Sequence, residues 1–181
     1  SSIMRIFPIW AKALGIQGCL KGIDIAIHAP AEYYRAAVEF IRSDPLSLGA
    51  LVTTHKIDLL NACRDLFDEL DPYAQQFGEI SSISKRDGRL WGHAKDPISV
   101  GLALDSFLPA EHWQKYPEAQ ACVLGAGGSA LAVCAYLAHE KHGDAVPARI
   151  QMDNRSVGRL AEAVHLLGNS RVQMSFNLCP I

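Results

Sequence analysis

Among its 181 residues the chain has no Cys-x-x-Cys pair and no His-x-x-x-His helix pattern, so these ligand spacings are missing and no metal site is expected. Its five cysteines, Cys19, Cys63, Cys122, Cys134 and Cys179, are odd in number, widely spaced and mostly set in apolar stretches. That argues against a disulfide framework and for buried, reduced thiols in a cytoplasmic protein. No apolar run reaches the roughly 18 residues a membrane-spanning helix needs, and no secretory signal opens the sequence. With 17 Lys and Arg against 19 Asp and Glu, the net charge of −2 carries no basic footprint for nucleic acid. Internal repeats and low-complexity tracts are absent too. The opening "SSIMRIFPIW" has no initiator Met, so a missing N-terminal segment is expected.

What remains is ordinary globular composition, 49% hydrophobic and 20% charged, enough for one large domain or two small ones. Residues 4–14 read as a helix stopped by Gly15. Ile23, Ile25 and Ile27 alternate across 22–28 as in a strand. Tyr34, Val38 and Ile41 then share one face of a helix opened by Pro30, and residues 49–53 read as another strand. Apolar positions 59, 63, 66, 67 and 70 predict a helix over 57–70, ended by Pro72. The stretch 80–93 reads as a hairpin turning at Asp87-Gly88, where both central residues need positive φ. A helix over 98–107 leads into a connecting stretch from Pro109 to Pro117. The aromatic residues Trp10, Tyr33, Tyr34 and Trp91 are expected to pack rather than to bind.

From residue 121 strands and helices alternate, as in parallel β-α-β units. "ACVLG" is a short buried strand, and a helix follows with Leu131, Cys134 and Leu137 on one face. Residues 148–153 form a second strand. Ser156 caps a helix striped by Val157, Leu160, Ala161, Val164 and Leu167 and ended by Gly168, and "RVQMSF" is a third strand. Between the first strand and its helix lies "GAGGSA". Gly125, Ala126, Gly127, Gly128 and Ser129 let the backbone approach a pyrophosphate, which the free N–H groups of the helix start would hold. Ala130 takes the place of the third glycine of the usual fingerprint. The second strand ends in "MDNRS". If Asp153 faces a ribose, NAD is the cofactor. If it points to the opposite face of the sheet, Asn154, Arg155 and Ser156 form a phosphate clamp and NADP is favoured.

One lysine stands out in the first half. In "GALVTTHKIDLL", Lys56 sits at the mouth between a strand and a helix, where a solvated surface role is the ordinary reading. Five segments in order give it a sharper one. "GALVTTHK", "FGEISSI", "DGRLWGHAKD", "VLGAGGSA" and "NRS" together resemble the motifs of the shikimate dehydrogenases and their quinate/shikimate relatives. The resemblance implies an α/β chain in two parts: an N-terminal α/β substrate domain, here 1–108, and a Rossmann-like dinucleotide-binding domain, here 109–181 and incomplete at its C-terminus.

It also implies a lysine–aspartate catalytic pair at Lys56 and Asp96, substrate contacts at Ser1, Thr53 (or Thr54) and Ser81, and NADP as cofactor, with NAD possible. The substrate would be a small cyclic hydroxy acid such as shikimate or quinate, which places the chain in aromatic amino acid biosynthesis. No nucleic-acid or membrane partner is implied, and the chain would act as a monomer or homodimer. Substrate contacts depart from the family pattern: Ser81 replaces an asparagine, Ala94 and Lys95 replace asparagine and threonine, Pro97 replaces a glycine, and Ile3 replaces the second serine of S-x-S. Arg5, His55 and Lys95 are further polar candidates, Arg5 or Lys95 for a substrate carboxylate. The rewritten contacts keep an alternative open, a non-catalytic metabolite sensor on the same fold. Only about three of some six expected nucleotide-domain strands fit before residue 181, so a fragment is expected.

Overall fold

The computed structural model describes residues 2–179. Two α/β units follow one another, each with its own sheet and core. The first begins with α1 (Ser2–Ala13), which Gly15 stops at φ +67°, and α2 (Ala31–Ser43). Its remaining elements are β1 (Gly49–Leu51), α3 (Lys56–Cys63), β2 (Glu69–Leu70), α4 (Pro72–Phe77), β3 (Ser82–Arg86), β4 (Arg89–His93) and α5 (Asp96–Asp105). The sheet runs β1-β3-β4-β2, with β1–β3 and β3–β4 antiparallel and β2–β4 parallel. This half is therefore a mixed sheet rather than a run of parallel β-α-β units. The expected hairpin is present: Asp87 and Gly88 take φ of 51° and 75°, and Arg86 pairs with Arg89 across the turn. Tyr34, Val38 and Ile41 face the core with Leu59, Leu60, Ile80 and Leu90, as the helical spacing predicts.

Three expectations fail here, two of them for identifiable reasons. No strand forms over 22–28; its alternating isoleucines have no ladder partner among the described residues, and Ile23 and Ile27 lie exposed. The helix expected over 57–70 stops at Cys63, passes through a 3₁₀ turn (Arg64–Leu66) and becomes extended. The exposed edge of β4 captures this segment: Asp68 N donates to Leu90 O at 2.9 Å, and Leu90 N donates to the Asp68 carboxylate at 2.8 Å. Phe67 and Leu70 still pack on the core, so the apolar spacing was satisfied by a different backbone. Among the aromatics, Tyr34 is buried, but Trp10 and Tyr33 are exposed.

After the short helix α6 (His112–Lys115), within the expected connecting stretch, the second unit runs β5 (Gln120–Leu124), α7 (Gly128–Leu137), β6 (Arg149–Asn154), α8 (Val157–Leu167) and β7 (Met174–Leu178). Its three strands are parallel in the order β5-β6-β7. Ile150 and Met152, fully buried, face Leu131, Cys134 and Leu137 of α7 and Leu160 of α8. The buried stripe of α8 is Leu160, Ala163 and Leu167; Val157, Ala161 and Val164 of the expected stripe lie on its exposed flank. Cysteine burial is likewise only partly as expected. Cys63 and Cys134 are buried, and burial pushes their thiols up to about 11 and about 12, whereas Cys19, Cys122 and Cys179 are exposed; all five are free. Among the described residues no helix is long and apolar enough to cross a membrane.

The two units meet where α5 lies on α7. Gly101 of α5 has no side chain because the Tyr136 ring of α7 occupies that space: a Cβ there would overlap the ring carbons. Tyr136 O–H donates to the Asp105 carboxylate at 2.5 Å, and burial with that bond pushes its own pKa up to about 12. Glycine inside a helix costs about 1 kcal/mol against alanine, so its presence marks the close approach. Gly101→Val is expected to lower unfolding stability by about 1–3 kcal/mol through overpacking, measurable by urea denaturation.

Candidate active site

Lys56 is the first residue of α3 and Asp96 the first of α5. Pro97, whose fixed φ suits a first helical turn, helps set the start of α5. Although 40 positions apart, the two side chains form an ion pair in which Lys56 Nζ donates to Asp96 Oδ2; they are 23% and 26% exposed. The partial positive charge of a helix start favours the carboxylate and disfavours the ammonium, and the pairing offsets the latter.

Adjacent residues at the hairpin entrance hold both partners. Ile80 N donates to the carbonyl of Lys56 at 3.1 Å. Ser81 Oγ accepts from Lys95 N at 2.7 Å and donates to His93 O at 3.4 Å. From the other side, Asp71 Oδ1 accepts from Ala94 N at 3.2 Å while capping α4 through Ala74 N at 2.8 Å. The turn that aims Asp96 is thus fixed twice.

A cavity of about 570 Å³ opens against this pair. Thr53, Thr54, Ser81, Ser82 and Ser99 give it a hydroxyl-rich wall, and Lys95 a cation. Lys95 Nζ lies 3.4 Å from Asp71 Oδ2 and is about half exposed. Thr53 and Thr54 are exposed, with their hydroxyls 3.4 Å apart, and both line the cavity. Of the other polar candidates, His55 turns from the cavity to Tyr34, its Nδ1 3.2 Å from the phenol oxygen, and Arg5 lies exposed on α1 and does not line the cavity. Ser1 lies outside the described residues.

In the second unit the glycine loop joins β5 to α7. Gly125 takes φ +120°, a conformation that disfavours any side chain, and its N–H donates to Asp153 O at 2.8 Å. Ala126 is buried, while Gly127, Gly128 and Ser129 are exposed at the start of α7. Gly127 caps that helix without a side-chain acceptor, so the first-turn N–H groups are free of one, and the space beside Gly125 and Gly127 is open. Such a loop accepts an anion.

Asp153 lies on the sheet face away from Ile150 and Met152. Gln151 Nε2 donates to both its oxygens, at 3.0 and 2.9 Å, and Asn177 Nδ2 donates to Oδ1 at 2.8 Å. Its acceptors are therefore engaged within the sheet. Asn154 is half-buried, Arg155 is exposed, and Ser156 Oγ accepts from Arg159 N at 3.3 Å, capping α8 as the sequence predicts. Among the described residues no cluster of three or more His, Cys, Asp or Glu is placed to hold a metal ion.

Sequence reasoning missed Glu79, a 9% exposed carboxyl whose Oε2 approaches Gly128 at the start of α7. No local pattern in the sequence marks it; only the fold shows that it is buried. Sequence reasoning also missed Ser82 and Ser99 on the cavity wall.

No family model matches the chain. The NADP(+) shikimate dehydrogenase of Bacillus cereus (strain AH820) is 32% identical over 128 residues, which is 71% of this chain and 42% of that protein. The crystal structure of Thermus thermophilus shikimate 5-dehydrogenase, in complex with NADP(H) and shikimate, superposes with a TM-score of 0.68 at 22% identity, covering 95% of this chain and 57% of that one. The chain belongs to the shikimate/quinate dehydrogenase-like family. Its two-unit architecture, a mixed sheet followed by an all-parallel Rossmann-like sheet, is that family's fold. The chain spans about half the length of the curated relatives it matches. The fold is shared more widely: the ligand-free 5-ketofructose reductase of Gluconobacter sp. strain CHM43 superposes with a TM-score of 0.69 at 18% identity, over 97% of this chain and 57% of that one.

Proposed function

We propose that this chain carries the site of an NADP(H)-dependent dehydrogenase acting on a secondary alcohol of a cyclic hydroxy acid such as shikimate or quinate, with residues 1–108 on the substrate side and 109–181 on the cofactor side. The observation that carries this reading is the Lys56–Asp96 ion pair at the wall of the hydroxyl-lined cavity. In ketone reduction the Lys56 ammonium gives its proton to the substrate oxygen, and in alcohol oxidation Lys56, having first released a proton to solvent, takes the hydroxyl proton as a neutral amine. Asp96 holds the lysine head and orients the substrate hydroxyl. Thr53 and Thr54 contact ring hydroxyls, and Lys95 supplies a positive charge for the carboxylate. Ser81 acts chiefly by holding the backbone before Asp96, since its hydroxyl already accepts from Lys95 N.

The residues of the second unit fit a dinucleotide. Gly125, Ala126, Gly127, Gly128 and Ser129 would receive the pyrophosphate, and the bound nicotinamide would supply the hydride exchange. With Asp153 engaged by Gln151 and Asn177, Asn154, Arg155 and Ser156 would clamp a 2′-phosphate, which favours NADP over NAD. The relatives point the same way: the Bacillus cereus protein is named for NADP(+), and the Thermus thermophilus crystal holds NADP(H).

The test is to incubate the chain with NADP or NAD and a panel of shikimate, quinate and related hydroxy acids and to follow the absorbance of reduced cofactor. Turnover with NADP supports the dehydrogenase. Stabilisation of the fold by a hydroxy acid without turnover replaces it with a metabolite sensor.

A further inference from the structure

Between the Lys56–Asp96 pair and the glycine loop lies a carboxyl group with no assigned task. Glu79 directly precedes Ile80, whose N–H is bonded to Lys56. It is 9% exposed, and among the described residues it is the buried acidic or basic side chain. It makes no side-chain hydrogen bond or ion pair to any of them. Its Oε2 lies 3.6 Å from where a Cβ on Gly128 would stand, so the carboxyl is aimed at the first turn of α7. That ten-residue helix starts at Gly128 with no side-chain cap. An acid without a side-chain partner, pointed at an uncapped helix start, leaves both groups open to a third.

We propose that Glu79 is a binding residue for the anionic group held at the start of α7, meeting that anion as a neutral, hydrogen-bond-donating acid, so that dinucleotide binding takes up a proton. The inference rests on the dinucleotide reading given above. An ionised carboxylate at this spot would compete for the helix N–H groups and repel a pyrophosphate. A protonated one donates its O–H to a phosphate oxygen.

The surroundings favour the neutral form. Burial raises the Glu79 pKa from its ordinary value; Lys56 from α3 opposes this, and Asp96 from α5 and Glu162 from α8 add to it. A bound pyrophosphate adds negative charge and raises it again. Between the free and bound pKa values, binding therefore takes up a proton and affinity falls as pH rises. Below both values Glu79 is already neutral and affinity no longer depends on it.

The experiment is isothermal titration of NADP, and of NAD, into the chain across pH, in pairs of buffers with different ionisation enthalpies. Wild type, Glu79→Gln and Glu79→Ala are compared. NAD lacks the 2′-phosphate, so its proton uptake reports on the site alone. In wild type the Kd is expected to weaken by up to about tenfold per pH unit between the free and bound pKa values and to level off above both, with uptake approaching one proton per dinucleotide inside that window. In Glu79→Gln the uptake vanishes, the dependence flattens, and affinity at the alkaline end exceeds that of wild type. Glu79→Ala is also flat but binds more weakly than Glu79→Gln, having lost the donor, and it answers the question if Glu79→Gln does not fold. Equal slopes and equal proton uptake in all three overturn the proposal while leaving the dinucleotide reading intact. Absence of binding by every form, wild type included, overturns both.

Discussion

Lys56→Ala is expected to lower turnover by about 100-fold or more while the chain still binds NADP, the loss typical of a general acid–base group. That factor corresponds to about 2.7 kcal/mol of transition-state stabilisation. The reasoning is local. Lys56 Nζ is the basic atom at the wall of the cavity that also contacts Asp96, while the other cavity amine, Lys95, lies beside Asp71 and is about half exposed. Asp96→Asn should cost less than Lys56→Ala, because an amide still hydrogen-bonds but no longer holds the ammonium electrostatically. Steady-state kinetics on the reactive hydroxy acid, with NADP affinity measured separately by fluorescence titration, check both. Equal activity in Lys56→Ala and wild type would reduce the pair to a structural ion bridge, worth about 0–1 kcal/mol when solvated.

Arg155→Ala is expected to weaken NADP binding by roughly 10–100-fold and NAD binding far less, because a charge-assisted hydrogen bond to phosphate contributes about 1.5–3 kcal/mol. Arg155 is exposed at the end of β6, while the neighbouring Asp153 is occupied by Gln151 and Asn177. Releasing Asp153 should act in the opposite sense: Asn177→Ala removes one of its donors and is expected to improve NAD relative to NADP. Competitive titration of the two dinucleotides measures the ratio. A ratio unchanged in Arg155→Ala would place the 2′-phosphate elsewhere.

Much of this was readable in the sequence, and the reasons differ between the two units. In the second, local rules place the elements, although β5, expected to be a buried strand, is half-exposed, with Leu124 82% exposed. Gly125 is needed for its φ of +120°, Ser156 supplies a cap oxygen, and short apolar runs pair in parallel because helices separate them. Periodicity alone still misjudged the rotation of α8, because which flank of a broad stripe is covered depends on the sheet beneath it. In the first unit, nonlocal pairing overrode local pattern. Residues 67–70 have helical spacing, yet the free edge of β4 drew them into a strand, and 22–28 alternate like a strand but lack a partner.

The candidate site was legible where residue chemistry and family motif coincide, at Lys56, Asp96, Thr53 and the glycine loop. Ser81 shows the limit: the sequence gives its hydroxyl but not that Lys95 N and His93 O already engage it. Glu79 was invisible for the same reason, since a lone glutamate becomes notable only when the fold buries it facing another unit.

The most direct test of the central claim follows the hydride itself. Shikimate or quinate deuterated at the carbinol carbon is incubated with NADP and the chain, and the recovered cofactor is examined by NMR. The account predicts deuterium on the nicotinamide ring with wild type, and transfer slowed by at least about 100-fold with Lys56→Ala. Cofactor bound but recovered oxidised and unlabelled, with either these acids or the wider hydroxy-acid panel, would contradict it.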